Sequence, residues 1–440
     1  MRIAIATWSC RLVGGLETYL ATVVEALAAR GHAIAMVSNF DVPANRSRIP
    51  LPAGAPRWCA AEDGMQAAID SLHEWRPDVI YAHGPLPEAL EAAFSGIAPA
   101  AYFAHAYFDT CISGSKTNLW PSISQCHRKF GWRCLLHYYP HRCGGLSPVT
   151  MWSRYQRQKK RLARLRRYDA ILTASDHMRR EFLLHDFPEG NLHVVHLPVT
   201  NGTGRWTDSV NGFGLESKAP RHPSDGSSRE CHLLFVGRLE ALKGGHILID
   251  SLGEISSSLG RPVRLTFAGD GRECERLKSH AAVCERRWSE VRVSFDGWLC
   301  GSDLERRFEQ AELLVLPSLW PEPFGLVGLE AAKFGVPAVA FDVGGVREWL
   351  TDGVNGHLAP ASPATASGLA AAVVRAASDR DHYTRLRQGA YHALAGFSLD
   401  SHVLSLLDLL SGIIDRPHAS GTSREAVGSL TASASIPANQ

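Results

Sequence analysis

The chain has 440 residues, with 46 Lys and Arg against 44 Asp and Glu, a formal net charge of +2, and 45% hydrophobic content. That length is long for one domain and suits two, each with apolar residues enough for a core. Balanced charge asks for no nucleic acid partner, and no apolar run reads as long enough to span a bilayer.

The chain opens on an apolar run that reads as a strand, Ile3-Ala-Ile-Ala-Thr7, so no signal peptide is expected. A cytoplasmic protein is expected, with its ten cysteines mostly reduced. Leu16, Tyr19, Leu20, Val23, Val24 and Leu27 recur at helical spacing, predicting a helix from 16 to 30 that Gly31 ends. Apolar runs at 33–37, 79–81, 101–103, 170–172 and 193–195 predict further strands. Residues 200–230 are rich in Gly, Ser, Pro, Asp and Asn and read as a linker between a first domain, 1–199, and a second. The second begins with a strand at 232–236 and continues with strands at 264–267, 291–293, 313–316 and 338–341, closing near 395. Val403, Leu406, Leu407 and Leu410 predict a last helix within 396–415, and the Ser/Ala/Thr-rich tail, 416–440, reads as disordered. Strand and helix alternation throughout argues for an α/β fold of two parallel-sheet, Rossmann-like domains.

Residues 317–330, Pro-Ser-Leu-Trp-Pro-Glu-Pro-Phe-Gly-Leu-Val-Gly-Leu-Glu, carry the strongest functional signal. A strand runs into this stretch and a helix runs out of it, ending at Gly335. Glu322 falls on the loop at the strand's carboxyl end and Glu330 in the helix, eight residues on. Such a junction offers backbone N–H groups and a positive dipole end to phosphate. Two carboxylates beside it can accept hydrogen bonds from sugar or ribose hydroxyls. The stretch resembles the E-x7-E region of family 4 retaining glycosyltransferases. The match continues through Ala331-Ala-Lys-Phe-Gly-Val-Pro337 and Asp342-Val-Gly-Gly345 to Asn355-Gly356.

The resemblance implies the GT-B architecture, two Rossmann-like domains facing an interdomain cleft, with the last helix crossing back onto the first domain. It also implies roles. Glu322 and the amides after Phe324, those of Gly325 and Leu326, would hold the sugar, and Glu330 the ribose. Gly237-Arg-Leu-Glu-Ala-Leu-Lys-Gly244 matches the family's G-R-x4-K-G pattern, where Arg238 and Lys243 meet the donor diphosphate. Two fixed cations stabilise the negative charge that develops on a leaving nucleotide. Arg238 can fork onto two oxygens and Lys243 acts as a point charge. Gly14-Gly15, in the first βα loop, would let backbone approach the donor. His105, at a strand's carboxyl end, would donate to a sugar hydroxyl, with His83 a second candidate.

Two motifs point elsewhere. Gly269-Asp-Gly271 starts like a dinucleotide fingerprint, but Cys274 stands where the third Gly belongs. Asp379-Arg-Asp381 spells a metal-binding D-x-D but sits at an expected helix start, where Asp caps and complements the dipole. The resembled family needs no such metal, so no cofactor is expected for catalysis.

An insertion over 106–150 departs from the family's pattern. It holds Cys111, Cys126, Cys134 and Cys143 with His127, His137 and His141 among aromatic and basic residues. Four Cys so close suggest a cross-link, a structural zinc site or two disulfides, with metal favoured in a reducing compartment, or simply free thiols, since the spacing fits no common zinc motif. Residues 152–167 are strongly basic and read as a helix, either solvated or resting peripherally on the inner face of a membrane. The expected activity is transfer of a hexose from a nucleotide diphosphate sugar, with retention, to a glycan, glycolipid or other hydroxyl acceptor, as in polysaccharide biosynthesis. The alternatives are a nucleotide-sugar epimerase of the same fold and a non-catalytic sugar-binding protein.

Overall fold

The computed structural model describes residues 1–12, 15–41, 47–199 and 230–416. The expected linker, Glu230 excepted, and the expected tail, Arg416 excepted, lie outside the described residues, as does Gly14.

The first domain is built on β1 (Arg2–Ser9), β2 (Ala33–Phe40), β3 (Arg57–Cys59), β4 (Val79–His83), β5 (Ala100–Ala104), β8 (Ala170–Thr173) and β9 (Leu192–Val194), with a small hairpin of β6 (Thr117–Asn118) and β7 (Ser124–Gln125) to one side. The order across its sheet is β3-β2-β1-β4-β5-β8-β9, all parallel. The second domain holds β10 (Cys231–Val236), β11 (Val263–Ala268), β12 (Val291–Gly297), β13 (Leu313–Leu316), β14 (Ala338–Phe341) and β15 (Gly356–Ala359) in the parallel order β12-β11-β10-β13-β14-β15. Both sheets are doubly wound, with the chain reversing direction between β1 and β4 and between β10 and β13. Ligands of such sheets bind outside the carboxyl ends of the strands at these reversals.

Alternation along β1 shows how the first sheet is covered on both faces. Ile3 and Ile5 join one core with Tyr19, Leu20, Val23 and Leu27 of the helix Gly15–Ala29; Ala4 and Ala6 join the other with Leu72, Leu90 and Leu165.

The stretch Arg380–Ile414 is long and apolar enough by composition to cross a membrane, contrary to the sequence expectation. It is two helices joined by a turn, Arg380–Ala393 and Leu399–Ile414, and Val403, Leu406, Leu410 and Ile413 are buried in the core. Leu399–Ile414 packs on the first domain, where Asp400 pairs with Arg30 and His402 meets Tyr19. Asp379 is the N-cap of Arg380–Ala393 and accepts from the His382 amide, so the D-x-D spelling is capping chemistry.

Candidate active site in the cleft

Lys243 follows β10 and Glu322 follows β13, the two strands that flank the reversal in the second sheet. Lys243 Nζ lies 2.6 Å from Glu322 Oε1 and 5.2 Å from the Trp320 ring centroid. Ser318 Oγ donates to the same carboxylate oxygen. Glu322 is only 5% exposed. Burial pushes its carboxyl up, but the Lys243 ammonium and the hydrogen bonds outweigh burial and hold it below the usual carboxylate range.

Glycines bring the loops together. Gly244 has φ +70°, and a Cβ there would stand 1.8 Å from the Pro317 carbonyl oxygen. The Leu319 amide donates to Leu242 O at 2.8 Å across the same contact. Gly344 and Gly345 do likewise for the loop after β14: the Gly345 amide donates to Glu322 O at 2.6 Å, and a Cβ on Gly344 would stand 2.2 Å from that oxygen. Gly269 and Gly271 pack the loop after β11 against Gly237 O and Leu239 O, which accounts for the misleading G-x-G without a dinucleotide.

Phe324 is buried; its carbonyl accepts from the Trp349 indole at 2.7 Å, and its ring packs on His196 and Phe397. The two amides that follow it, those of Gly325 and Leu326, were expected at the sugar, and they donate to no described backbone acceptor. Glu330 lies in the short helix Val327–Ala332; burial pushes its carboxyl up, with Lys333 countering. Arg238 is exposed and forms no ion pair among the described residues.

On the first domain, His83 ends β4 and His105 follows β5. His83 Nδ1 and His105 Nε2 lie 3.0 Å apart, and His83 Nε2 is buried with no partner among the described residues. A bare lone pair is the cheaper orphan, so the proton is assigned to His83 Nδ1, which donates to His105 Nε2. His105 then carries its own proton on Nδ1, where it can donate. Nearby, His402 Nδ1 donates to His196 O at 2.7 Å, so its Nε2 accepts from Tyr19, whose oxygen in turn accepts from Tyr81 at 2.6 Å. Among the described residues no hydrogen bond or ring contact joins His105 to Lys243 or Glu322: His105 belongs to the first domain's carboxyl strand ends and the pair to the second's. Gly15 opens the helix Gly15–Ala29 and is exposed.

Groups that the motifs did not indicate hold the two domains together here. Ser175 Oγ donates to Pro323 O at 2.6 Å, beside Glu322. Glu348 accepts from the Asp176 amide at 2.7 Å and pairs with His196 at 2.9 Å. The Tyr107 and Trp320 rings meet edge to face at 6.1 Å across the cleft. No local pattern marks Ser175, Glu348 or Tyr107, because each matters only through a partner more than a hundred positions away.

The imidazoles give a pH prediction. Burial holds His83 well below its ordinary value, helped by His105 and His402, and holds His105 at about 3 and His402 at about 4. In the unfolded chain they would titrate near 6.5. The unfolded state therefore binds more protons below that pH, and stability that is full above about 6.5 falls as pH drops toward the folded values. From pH 7 to 5, buried His402 should cost about 2 kcal/mol, and His83 should add to the loss in the same direction. The melting temperature should fall over that range, and His402→Gln should reduce the slope; a flat profile would exclude neutral buried imidazoles.

The four cysteines of the insertion are free thiols, and no three His, Cys, Asp or Glu among the described residues are arranged to hold a metal ion. The sulfurs are near enough that Cys143, pushed up to about 12 mainly by burial, also feels Cys111, Cys126 and Cys134. Other groups staple the segment: Lys116 forms a buried ion pair with Glu181, and the Phe130 amide donates to His185 at 2.8 Å.

Family models match most of the chain. One described as glycosyltransferase family 4 covers residues 13–200, and one described as glycosyl transferases group 1 covers residues 222–393. An uncharacterized glycosyltransferase of Methanocaldococcus jannaschii is 27% identical over 376 residues, covering 81% of this chain and 84% of its own. A glycogen synthase of Mycobacterium tuberculosis is 28% identical over 415 residues, 85% of each chain. Among solved structures, HepE of Anabaena in complex with UDP aligns with a TM-score of 0.63 at 20% identity, covering 94% of this chain and 100% of that one. That likeness shows the fold, two Rossmann-like domains of the GT-B type.

Proposed function

The chain belongs to glycosyltransferase family 4, and from that premise we propose that it transfers a hexose from a nucleoside diphosphate sugar to a hydroxyl acceptor with retention of anomeric configuration. The observation that carries this reading is the Lys243–Glu322 pair at the strand reversal of the second sheet. Lys243 offers a fixed cation to the diphosphate as its charge develops, and Arg238, exposed and without an ion-pair partner among the described residues, offers a second. Glu322 shares its carboxylate between Lys243 and a sugar hydroxyl. The Gly325 and Leu326 amides take the hexose and Glu330 the ribose. His105, neutral at working pH, donates from Nδ1 to the sugar without adding a second positive charge. In a retaining displacement of this kind the leaving phosphate can take the acceptor's proton, so no separate base is assigned. The acceptor is a glycan or a lipid-linked glycan, on the cytoplasmic side of a membrane.

HepE was solved with UDP, so uridine diphosphate sugars are the first arm of the test. Purified protein should be screened against nucleotide sugars by thermal shift, since a ligand that binds only the folded state raises its melting temperature. The active donor should then be turned over with an acceptor and the product anomer read by NMR. Retention is expected. An inverted product would overturn the proposed mechanism, and conversion of donor to a new sugar with acceptor absent would make the chain an epimerase.

A further inference from the structure

We propose that the exposed face of the insertion and of the helix after it is a docking surface for an anionic lipid bilayer. Between Thr110 and Tyr168 the chain has thirteen Lys and Arg and no Asp or Glu. The whole chain is nearly neutral, so everything outside this segment is net acidic. Lys116, Lys129, Arg161 and Arg164 pair with acids outside the segment, and the other nine form no ion pair among the described residues and leave this part of the first domain positive.

The same segment holds unusual apolar exposure. Trp120, Trp132, Leu136, Leu146, Val149 and Trp152 are each more than half exposed. Isolated exposed side chains are ordinary, whereas a set of large ones in one segment marks a contact surface. Ring contacts join its parts. Trp152 stacks on Tyr155 at 5.8 Å, and Tyr155 meets Phe130 of the loop at 5.1 Å. Arg142 lies over Trp120 at 4.7 Å, and His141 Nδ1 bonds Trp120 O at 3.0 Å.

The helix Pro148–Leu165 divides its faces accordingly. Its inner face buries Gln158, Arg161, Leu162 and Leu165, and Arg161 is clamped by Glu91 and by Asp109 at 3.0 Å. Its outer face carries Val149 and Trp152 and then, two turns on, Lys159 and Lys160. Arg154, Lys159 and Lys160 are exposed and form no ion pair among the described residues. Trp and Leu at the tip with cations behind them suit the boundary between acyl chains and anionic headgroups. Protein interfaces also enrich Trp and Arg, but they deplete Lys, whereas Lys159 and Lys160 stand exposed on this face. The buried clamp presents this face rigidly, so little ordering entropy opposes docking.

Flotation of the full chain with vesicles tests this independently of any donor or transfer reaction. Vesicles of phosphatidylcholine with roughly a third phosphatidylglycerol should carry the protein, and vesicles of phosphatidylcholine alone should bind at least about tenfold more weakly. Added salt should release it. The charge reversal R154E/K159E/K160E and the apolar truncation W132A/W152A should each weaken binding at least about tenfold with an unchanged melting temperature. If the reversal does not fold, R154Q/K159Q/K160Q replaces it. No flotation on anionic vesicles, equal flotation on both kinds, or wild-type flotation of the variants would overturn the proposal. So would retention on soluble dextran sulfate with no vesicle binding, which would assign the surface to a polyanion.

Discussion

Lys243→Ala is expected to lower transfer by at least about a hundredfold, the scale of losing one preorganised electrostatic donor, roughly 3 kcal/mol. The effect should be larger than for Arg238→Ala, because Lys243 is held in place from two sides. Its ammonium sits 2.6 Å from Glu322 and 5.2 Å from the Trp320 ring, whereas Arg238 must be recruited by the ligand. The substitution has a second consequence. Glu322 would keep Ser318 but lose its cation while remaining buried, and its carboxyl would rise toward neutrality. Part of the loss would then reflect a damaged site rather than a missing charge. The double variant K243A/E322Q tests the orphan carboxylate through stability: with the carboxylate gone the melting temperature should recover, while transfer stays low because Glu322 also holds the sugar. Near-normal turnover by K243A in a folded protein would remove Lys243 from the mechanism.

The strands that form this cleft were readable because parallel strands buried on both faces are continuous apolar runs, as in Leu313–Leu316 and Ala338–Phe341, found with the bounds expected. Two strands of the parallel sheets were not. Arg57–Cys59 and Gly356–Ala359 lack a continuous aliphatic run, and only pairing with a neighbour defines them. The meeting of Lys243 with Glu322 followed from motifs after strands, since topology carries the ends of β10 and β13 side by side. The glycine spellings were legible as signals, while their cause was not: Gly344 and Gly345 are small because Glu322 and Pro323 backbone lies against them. Ser175, Glu348 and Tyr107 gave no signal, because a hydrogen bond or ring contact across domains leaves no period in the sequence.

Gly244→Ala is expected to cost as much activity as losing Lys243 itself, though no charge is touched. The position has φ +70°, which an alanine adopts at a cost of about 1 kcal/mol. Steric contact costs more: the new Cβ would fall 1.8 Å from Pro317 O and 2.8 Å from Pro317 C, both backbone atoms that cannot rotate away. The loop carrying Lys243 must move off the loop carrying Glu322, and the Leu319–Leu242 hydrogen bond that joins them must stretch. A shift of about 1 Å at a catalytic group lowers rate on the order of a hundredfold. Folding should survive, because the helix Gly245–Leu259 still buries Leu248, Ile249, Leu252 and Ile255 completely. Gly260→Ala is the control that isolates the cause. It sits at the other end of the same helix with φ +63°, but nothing lies within 4 Å of its Cβ. That variant should show the left-handed strain alone, a small drop in melting temperature with turnover intact. Equal turnover by the two variants would mean that the close approach of these loops does not set the geometry of the site.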